Sequence, residues 1–207
     1  MEMVLDVYKR PYDARYPVVC MDESPKQLIA ETKTPIPASP GQPSKSDYEY
    51  KRCGVCNIFM ACEPLAGKRM VKITERKTKK DWAQFIQEIT YLYRNAEKII
   101  LVMDNLNTHT PGSLYETFCP DKAKALWDRF EFVYTPKHGS WLNMAEIELN
   151  VLIGQCLGRR IDKMEEVERE VFAWQEHRNN KMAKVNWQFS AEDARIKLSR
   201  LYPTLDS

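Results

Sequence analysis

The chain of 207 residues carries 31 basic and 29 acidic side chains, so its formal net charge at neutral pH is only +2. A charge this small excludes a protein that binds nucleic acid through its overall charge alone, so any DNA-binding surface has to be local. Hydrophobic residues make up 43% of the chain and glycines number only 7, which excludes a fibrous or wholly disordered chain and indicates a globular protein.

No apolar segment of the sequence is long enough to cross a membrane. The longest aliphatic run, Ile99 to Met103, is far shorter than the roughly 20 residues that a transmembrane helix needs. Residues 1–10 mix charged and apolar side chains and lack the apolar centre of a secretory signal. We therefore expect no membrane partner and a cytoplasmic protein whose six cysteines are reduced.

The first part of the chain predicts three strands. Residues 17–21 form a short apolar run that enters a polar segment, so we expect the first strand to end near Asp22. Residues 32–50 are rich in proline and serine and predict a mobile surface loop. Two further runs, 53–62 and 68–74, flank a turn, and this arrangement predicts an antiparallel hairpin.

The rest of the chain alternates helices with strands. Apolar residues at steps of three and four predict an amphipathic helix over residues 78–94, and a buried strand at 99–103 follows it. The later elements are a helix at 120–129, a strand at 132–134, helices at 141–157 and 164–177, a short segment at 185–189 and a last helix that begins near Ser190. This order predicts an α/β fold of three layers with a mixed five-stranded sheet.

Two aspartates directly follow aliphatic strands, and they are the candidate functional residues. Sites in α/β sheets gather at the carboxyl ends of strands, so we expect Asp22 and Asp104 to face one another. The helix at 141–157 offers Glu146 and Glu148 as a third acid, and their separation around the helix lets only one of them join. Such oxygen ligands suit Mg²⁺ or Mn²⁺. The alternative is that each aspartate only caps a turn or a helix.

Three motifs resemble the catalytic domain of DDE transposases of the mariner superfamily, in the branch encoded by bacterial insertion sequences. They are Val19-Cys-Met-Asp22-Glu23, an Asp-Asn-x-x-x-His motif at Asp104, Asn105 and His109, and a Leu-Asn-x-x-Glu motif at Leu142, Asn143 and Glu146. The resemblance selects Glu146 rather than Glu148 as the third acid. It implies a ribonuclease-H-like domain over residues 1–161 and a C-terminal helical extension over residues 162–207, packed on the same domain.

The resemblance also implies an activity. Such an enzyme uses two Mg²⁺ or Mn²⁺ ions to cleave DNA at insertion-sequence ends and to join the freed 3′-hydroxyls to target DNA. Asp22, Asp104 and Glu146 would be the catalytic residues and metal ligands. Supporting roles would fall to Asn105, His109 and Asn143, although His109 alone could also be a turn histidine with a satisfied ring nitrogen. The implied state is a homodimer on DNA, associated with the bacterial nucleoid.

The sequence departs from this family in three respects. The interval from Asp104 to Glu146 is longer than in animal mariner elements, and we place the surplus in residues 110–121. Only 21 residues precede Asp22, so we expect the family's helix-turn-helix region on a separate polypeptide or lost by truncation. Residues 53–56 hold a cysteine pair that the family lacks, and zinc is disfavoured there because no second ligand pair appears.

Local basic residues are the candidate DNA contacts, because they could neutralise phosphates. They are Lys79, Lys80, Arg159, Arg160, Lys137 and His138. Arg69 belongs to the same basic run as the first two. For each run the alternative is a solvated face. Trp141 could stack on a base, or it could belong to the core.

Two other functions remain open from the sequence. A truncated, non-cleaving remnant would only bind DNA or a full-length transposase, and the presence of all three acids favours the enzyme over this alternative. A host nuclease with the same fold is the third possibility. The motifs that begin at Asp104 and Leu142 argue against it, since a generic nuclease need not carry them.

Overall fold

The computed structural model describes residues 1–137 and 139–202. The α-helices of this part are α1 Glu2–Tyr8, α2 Lys79–Leu92, α3 Pro111–Thr117, α4 Pro120–Asp128, α5 Met144–Cys156, α6 Met164–Asn180 and α7 Ala191–Lys197. The β-strands are β1 Val18–Glu31, β2 Tyr50–Glu63, β3 Lys68–Thr74, β4 Ile99–Met103 and β5 Phe130–Tyr134. Two short 3₁₀ helices lie at Ser140–Leu142 and Ser199–Leu201.

The strands form a five-stranded sheet in the order β3-β2-β1-β4-β5. β1, β2 and β3 are antiparallel neighbours, whereas β4 and β5 run parallel to β1. The chain reaches each parallel strand through helices, α2 before β4 and then α3 and α4 before β5, as parallel pairing requires. The predicted mixed sheet is therefore confirmed.

Helices cover both faces of the sheet, because successive strand residues point to opposite sides. Val19 and Met21 of β1 pack in one buried cluster with residues of α2, α3 and α4. Cys20 lies between them in the chain and packs in the other cluster, with residues of α1, α5, α6 and α7. By this alternation Asp22 belongs to the α5 face and Glu23 to the α2 face.

The prediction that the first strand ends near Asp22 is wrong. β1 continues to Glu31, because β2 pairs with it from Cys20 as far as Glu31. What ends near Asp22 is the pairing with β4, whose last partner on β1 is Cys20. Beyond that point β1 pairs with β2 alone, so the edge that faced β4 is open. Pro25 lacks a backbone N–H, and at an open edge no hydrogen bond to a second strand is lost. The backbone N–H of Ile29 donates to Ile161 across this edge, at an N···O distance of 2.8 Å.

Two helices lie where none was predicted. Both α1 and α3 contain 7 residues, which is too short for apolar periodicity to show. α3 begins with Pro111, a residue suited to a first helical turn, inside the segment that was expected to be surplus loop. The predicted helix over residues 141–157 begins only at Met144, where Asn143 caps it.

The C-terminal helices share a buried cluster with the sheet. Val167, Val171 and Ala194 lie in the same cluster as Cys20 and Val102. The division of the chain at residue 161 stays a prediction. Within the described residues, none of the helices has both the length and the apolar composition that crossing a membrane requires. The six cysteines are free thiols in that part of the chain.

Candidate metal centre

Asp22 on β1 and Asp104, directly after β4, lie at neighbouring positions of the central pair of parallel strands. Cys20 of β1 is opposite Val102 of β4, and each aspartate lies two residues beyond its member of this pair. Continuing the register therefore places Asp22 beside Asp104 at the carboxyl end of β4. This end of the sheet is where α/β proteins place their functional groups.

Asn143 brings the third acid to the same place. Its side-chain oxygen accepts a hydrogen bond from the backbone N–H of Ala145 at 3.1 Å, which caps α5. Its side-chain N–H₂ donates to the backbone oxygen of Met21 at 2.8 Å. The first turn of α5 is thus tied to β1 at the residue before Asp22, and Glu146 lies in that turn. Asn143 is 1% exposed, so both bonds form away from solvent.

The electrostatics of Asp22 reflect this crowding of acids. Burial raises the pKa of Asp22 to about 6, and the negative charges of Asp104, Glu23 and Glu146 act in the same direction. The hydrogen bond that the backbone N–H of Glu23 donates to Asp22 opposes the rise in pKa only in part. Negative charges that crowd around Asp22 in this way favour a cation, or a proton, that balances them.

One of the carboxylates carries a buried oxygen, Oε2 of Glu146, that no donor within residues 1–137 and 139–202 reaches. Oδ1 of Asp104 is also buried, and it lies 2.8 Å from Nδ1 of His109. Three carboxylates gathered at one end of the sheet match the hard-oxygen ligand set that Mg²⁺ and Mn²⁺ prefer, so the residues fit a divalent ion. An open cleft of about 560 Å³, lined by Asp104, Asn105, Lys137 and Ser140 among others, gives access to this end of the sheet.

Glu23, Asp104 and His109 form a second group within this site. Their ligand-type atoms lie within 4.8 Å of one another. Both ring nitrogens of His109 are already engaged, since Nε2 lies 2.7 Å from Oε1 of Glu23 and Nδ1 lies 2.8 Å from Oδ1 of Asp104. Burial lowers the pKa of His109, but the hydrogen bonds to Asp104 and Glu23 outweigh it and raise this pKa to about 9. Because carboxylate oxygens already lie beside both ring nitrogens, the geometry is that of a supporting residue, and the supporting role of His109 stays a prediction.

Glu148 has a different role from Glu146. Its carboxylate forms a bidentate ion pair with the buried Arg69 guanidinium, at 2.8 and 3.1 Å, and accepts a further bond from Arg178 at 2.9 Å. Burial raises the pKa of Glu148, but these two guanidinium groups hold it below its usual value. Glu148 therefore joins β3, α5 and α6 inside the protein, and Arg69, 3% exposed, is not a surface DNA contact.

The predicted DNA contacts lie in several places. Lys79 and Lys80 are exposed at the start of α2, within one turn of Trp82, whose ring stacks on His109. Lys79 forms an ion pair with Glu116 at 2.6 Å. Lys137 is exposed and lines the cleft.

The second basic pair is neutralised within the protein. Arg159 pairs with Glu166 at 2.8 Å, and Arg160 pairs with Glu31 at 2.6 Å. His138 lies outside the described residues. Asn105 is exposed at the cleft, and Trp141, 43% exposed, lies on the surface rather than in the core. The assignment of the basic residues and of Trp141 to DNA contact stays a prediction, as does the supporting role of Asn105.

Glu23 is the residue that the sequence analysis missed as a participant. Its side chain is 1% exposed and reaches His109, although it was noted only as the neighbour of Asp22. The signal was present in the alternation of the strand, because Glu23 continues the series Val19 and Met21 that faces α2. The assumed end of the strand at Asp22 hid this signal.

Comparison with known proteins gives a family and a fold. The family model described as DDE superfamily endonuclease matches residues 17–168, a span that includes all three acids. Among solved structures, the Mos1 transposase paired-end complex with left transposon end aligns with a TM-score of 0.58 and 18% identity, over 88% of this chain and 56% of that chain. The Mos1 strand transfer complex gives the same values.

A third structure, the Mos1 mariner paired-end complex with Mn, aligns with a TM-score of 0.54 and 20% identity over the same shares of the two chains. The chain thus spans 56% of the length of the Mos1 chains that it matches. No match was found among the curated proteins. The shared architecture confirms the predicted ribonuclease-H-like fold, whereas the insertion-sequence branch stays a prediction. By the family match over residues 17–168, the chain belongs to the DDE superfamily of endonucleases.

Proposed function

We propose that this chain is the catalytic domain of a transposase, which cleaves DNA at insertion-sequence ends and transfers the freed strands to target DNA. The observation that carries this proposal is the meeting of Asp22, Asp104 and Glu146 at one end of the sheet, with a buried oxygen of Glu146 that no hydrogen-bond donor in the described chain reaches. Family membership supports the endonuclease part of the proposal.

The three acids would hold the divalent ions that DDE endonucleases use. Two Mg²⁺ or Mn²⁺ ions held there would supply an activated attacking oxygen and neutralise charge on the leaving oxygen of the phosphodiester. The protein's own contribution is to keep three carboxylates together against their mutual repulsion, through the strand register at Asp22 and Asp104 and through the Asn143 bridge to Glu146. This chemistry needs no nucleophile from the protein.

The partners of the chain are also part of the proposal. The similar Mos1 structures are complexes with a transposon end and a strand transfer complex, which supports DNA ends and target DNA as the ligands of this chain. We extend the proposal to a homodimer on DNA, associated with the bacterial nucleoid. Recognition of the element ends would come from a helix-turn-helix region outside the described residues.

Cleavage of supercoiled plasmid tests this proposal without knowledge of the element ends. We expect the purified chain to nick plasmid in Mn²⁺ and to lose this activity in EDTA, and we expect Asp104→Asn to be inactive while it folds normally. Asp121→Asn, an exposed acid in the first turn of α4, is the matched control and should cleave like wild type. Equal cleavage by Asp104→Asn would refute the metal assignment, and DNA binding without any cleavage would favour the non-cleaving remnant.

The lysines at the start of α2 give a prediction about DNA affinity. Replacing Lys79 and Lys80 by alanine should weaken DNA binding and reduce the slope of log affinity against log salt concentration by up to about 2, because each phosphate contact contributes about 0.9. Fluorescence anisotropy at several salt concentrations measures this slope. The double variant Lys122→Ala and Lys124→Ala removes the same charge from α4 and serves as the control. An unchanged slope in the α2 variant would show that this face is only solvated.

A further inference from the structure

Glu23 is a buried acid for which the metal centre itself provides no role. Its side chain is 1% exposed, and the ring of His109 is fully buried against it. Nε2 of His109 lies 2.7 Å from Oε1 of Glu23, while Oε2 of Glu23 has no partner in the described part of the chain. A buried carboxylate with one partner is costly to the fold, so its presence calls for a specific function.

The other side of the His109 ring holds Asp104. Nδ1 lies 3.1 Å from the backbone oxygen of Asp104 in hydrogen-bonding geometry, and 2.8 Å from Oδ1 of the same residue. One imidazole therefore contacts both the main chain and the carboxylate of Asp104. The position of that carboxylate depends on the direction in which the ring points.

The surroundings of His109 fix the ring in one orientation. The Trp82 ring stacks on it, with centroids 5.4 Å apart and planes 25° apart. The Tyr134 hydroxyl donates to the backbone oxygen of His109 at 3.2 Å. Stacking limits tilting of the ring, and within the ring plane the hydrogen bond between Nε2 and Glu23 holds the side opposite to the Nδ1 contacts with Asp104.

We propose that Glu23 is a positioning residue, which holds His109 so that His109 in turn orients the Asp104 carboxylate toward the divalent ions. The inference rests on the proposed metal centre at Asp22, Asp104 and Glu146. Strand geometry explains why two adjacent acids have different roles. Asp22 faces α5 and Glu146, whereas Glu23 faces α2 and reaches Asp104 from the opposite side of the sheet through His109.

Titration with Mn²⁺ alone tests the inference, with free Mn²⁺ measured by electron paramagnetic resonance. We expect Glu23→Ala to bind Mn²⁺ about 10- to 100-fold more weakly than wild type, the usual effect of losing the partner of a metal-site residue. Glu23→Gln can still accept from or donate to Nε2, so it should stay within about threefold of wild type. Glu63→Ala, which removes another acid with a buried side chain at the far end of β2, should bind Mn²⁺ like wild type.

The outcomes distinguish a positioning role of Glu23 from direct metal ligation and from the absence of a metal centre. Wild-type affinity in Glu23→Ala would overturn the positioning role and leave the metal centre standing. Equal losses in Glu23→Gln and Glu23→Ala would overturn it in favour of Glu23 as a direct ligand. Absence of Mn²⁺ binding by wild type would overturn the metal centre and this inference together.

A second measurement does not depend on metal or on the stability of the alanine variant. In the metal-free wild-type protein with ¹⁵N-labelled histidine, the His109 ring should show an N–H proton protected from exchange, and Glu23→Gln should shift it without exposing it to solvent. His109 is one of three histidines, so a His109→Gln spectrum assigns the signal. A His109 ring proton that exchanges freely in wild type would contradict the inference.

Discussion

Replacement of Glu146 by glutamine is expected to reduce Mn²⁺-dependent DNA cleavage by about 100-fold or more, since a metal ligand supplies several kcal/mol of transition-state stabilisation. The same variant should unfold in urea at the same midpoint as wild type or slightly above it. In wild type the Glu146 carboxylate has a buried oxygen without a donor in the described chain, and its charge contributes to raising the pKa of Asp22, so its removal does not destabilise the fold. Plasmid nicking and urea denaturation measure the two effects.

The comparison with Glu148 makes this prediction specific. Both glutamates lie on α5 two positions apart, so general effects on the helix are shared between the two variants. Cleavage at the wild-type rate by Glu146→Gln would show that this carboxylate is not part of the metal centre. A loss of stability in Glu146→Gln as large as in a Glu148 variant would show a structural role instead.

Replacement of Glu148 by alanine is expected to lower the free energy of unfolding by about 3–5 kcal/mol, the usual cost of removing one partner of a buried ion pair. The change leaves the guanidinium of Arg69 buried, with its countercharge gone. It also removes one contact of Arg178 and loosens the junction of β3, α5 and α6. Urea denaturation followed by circular dichroism measures the loss.

The pH dependence of this effect has a definite sign. The pKa of Glu148 is lower in the folded protein than its usual value of 4.5, so the ionised form is favoured by folding. Its stabilising contribution is fully present above pH 4.5 and is lost as the pH falls through the lowered pKa. The stability difference between wild type and Glu148→Ala should therefore shrink in acid. Glu170→Ala, which removes a partly exposed partner of Arg159, is the control and should change stability by at most about 1 kcal/mol. A difference between wild type and Glu148→Ala that persists unchanged below pH 3 would contradict this assignment.

Most of the sheet could be predicted from the sequence, because strands and long helices leave periodic patterns. The hairpin of β2 and β3 and the helix α2 followed directly from alternation and from apolar spacing. Two features left no such pattern. The helices α1 and α3 have only seven residues each, so they are too short to show a periodic pattern, and helices of this length depend on packing for their stability. The length of β1 is set by pairing with β2, which no local stretch of sequence reveals.

Some residues of the candidate site could likewise be predicted from the sequence, and others could not. The predicted strand ends pointed to Asp22 and Asp104 from the residues alone, although β1 in fact continues past Asp22. The choice between Glu146 and Glu148 needed the family resemblance. The ion pair of Glu148 with Arg69 joins residues 79 positions apart, so spacing could not reveal it. The contact of Glu23 with His109 spans 86 positions, and the predicted strand end at Asp22 hid the sheet face on which Glu23 lies.

The measurement that tests the proposed metal centre most directly is an anomalous difference map of crystals soaked in Mn²⁺. We expect the strongest peaks between the carboxylates of Asp22, Asp104 and Glu146, with His109 still bound to Glu23 through Nε2. A peak coordinated by Glu23 and His109, with Asp22 and Glu146 left without metal, would contradict the assignment of the three acids and of Glu23.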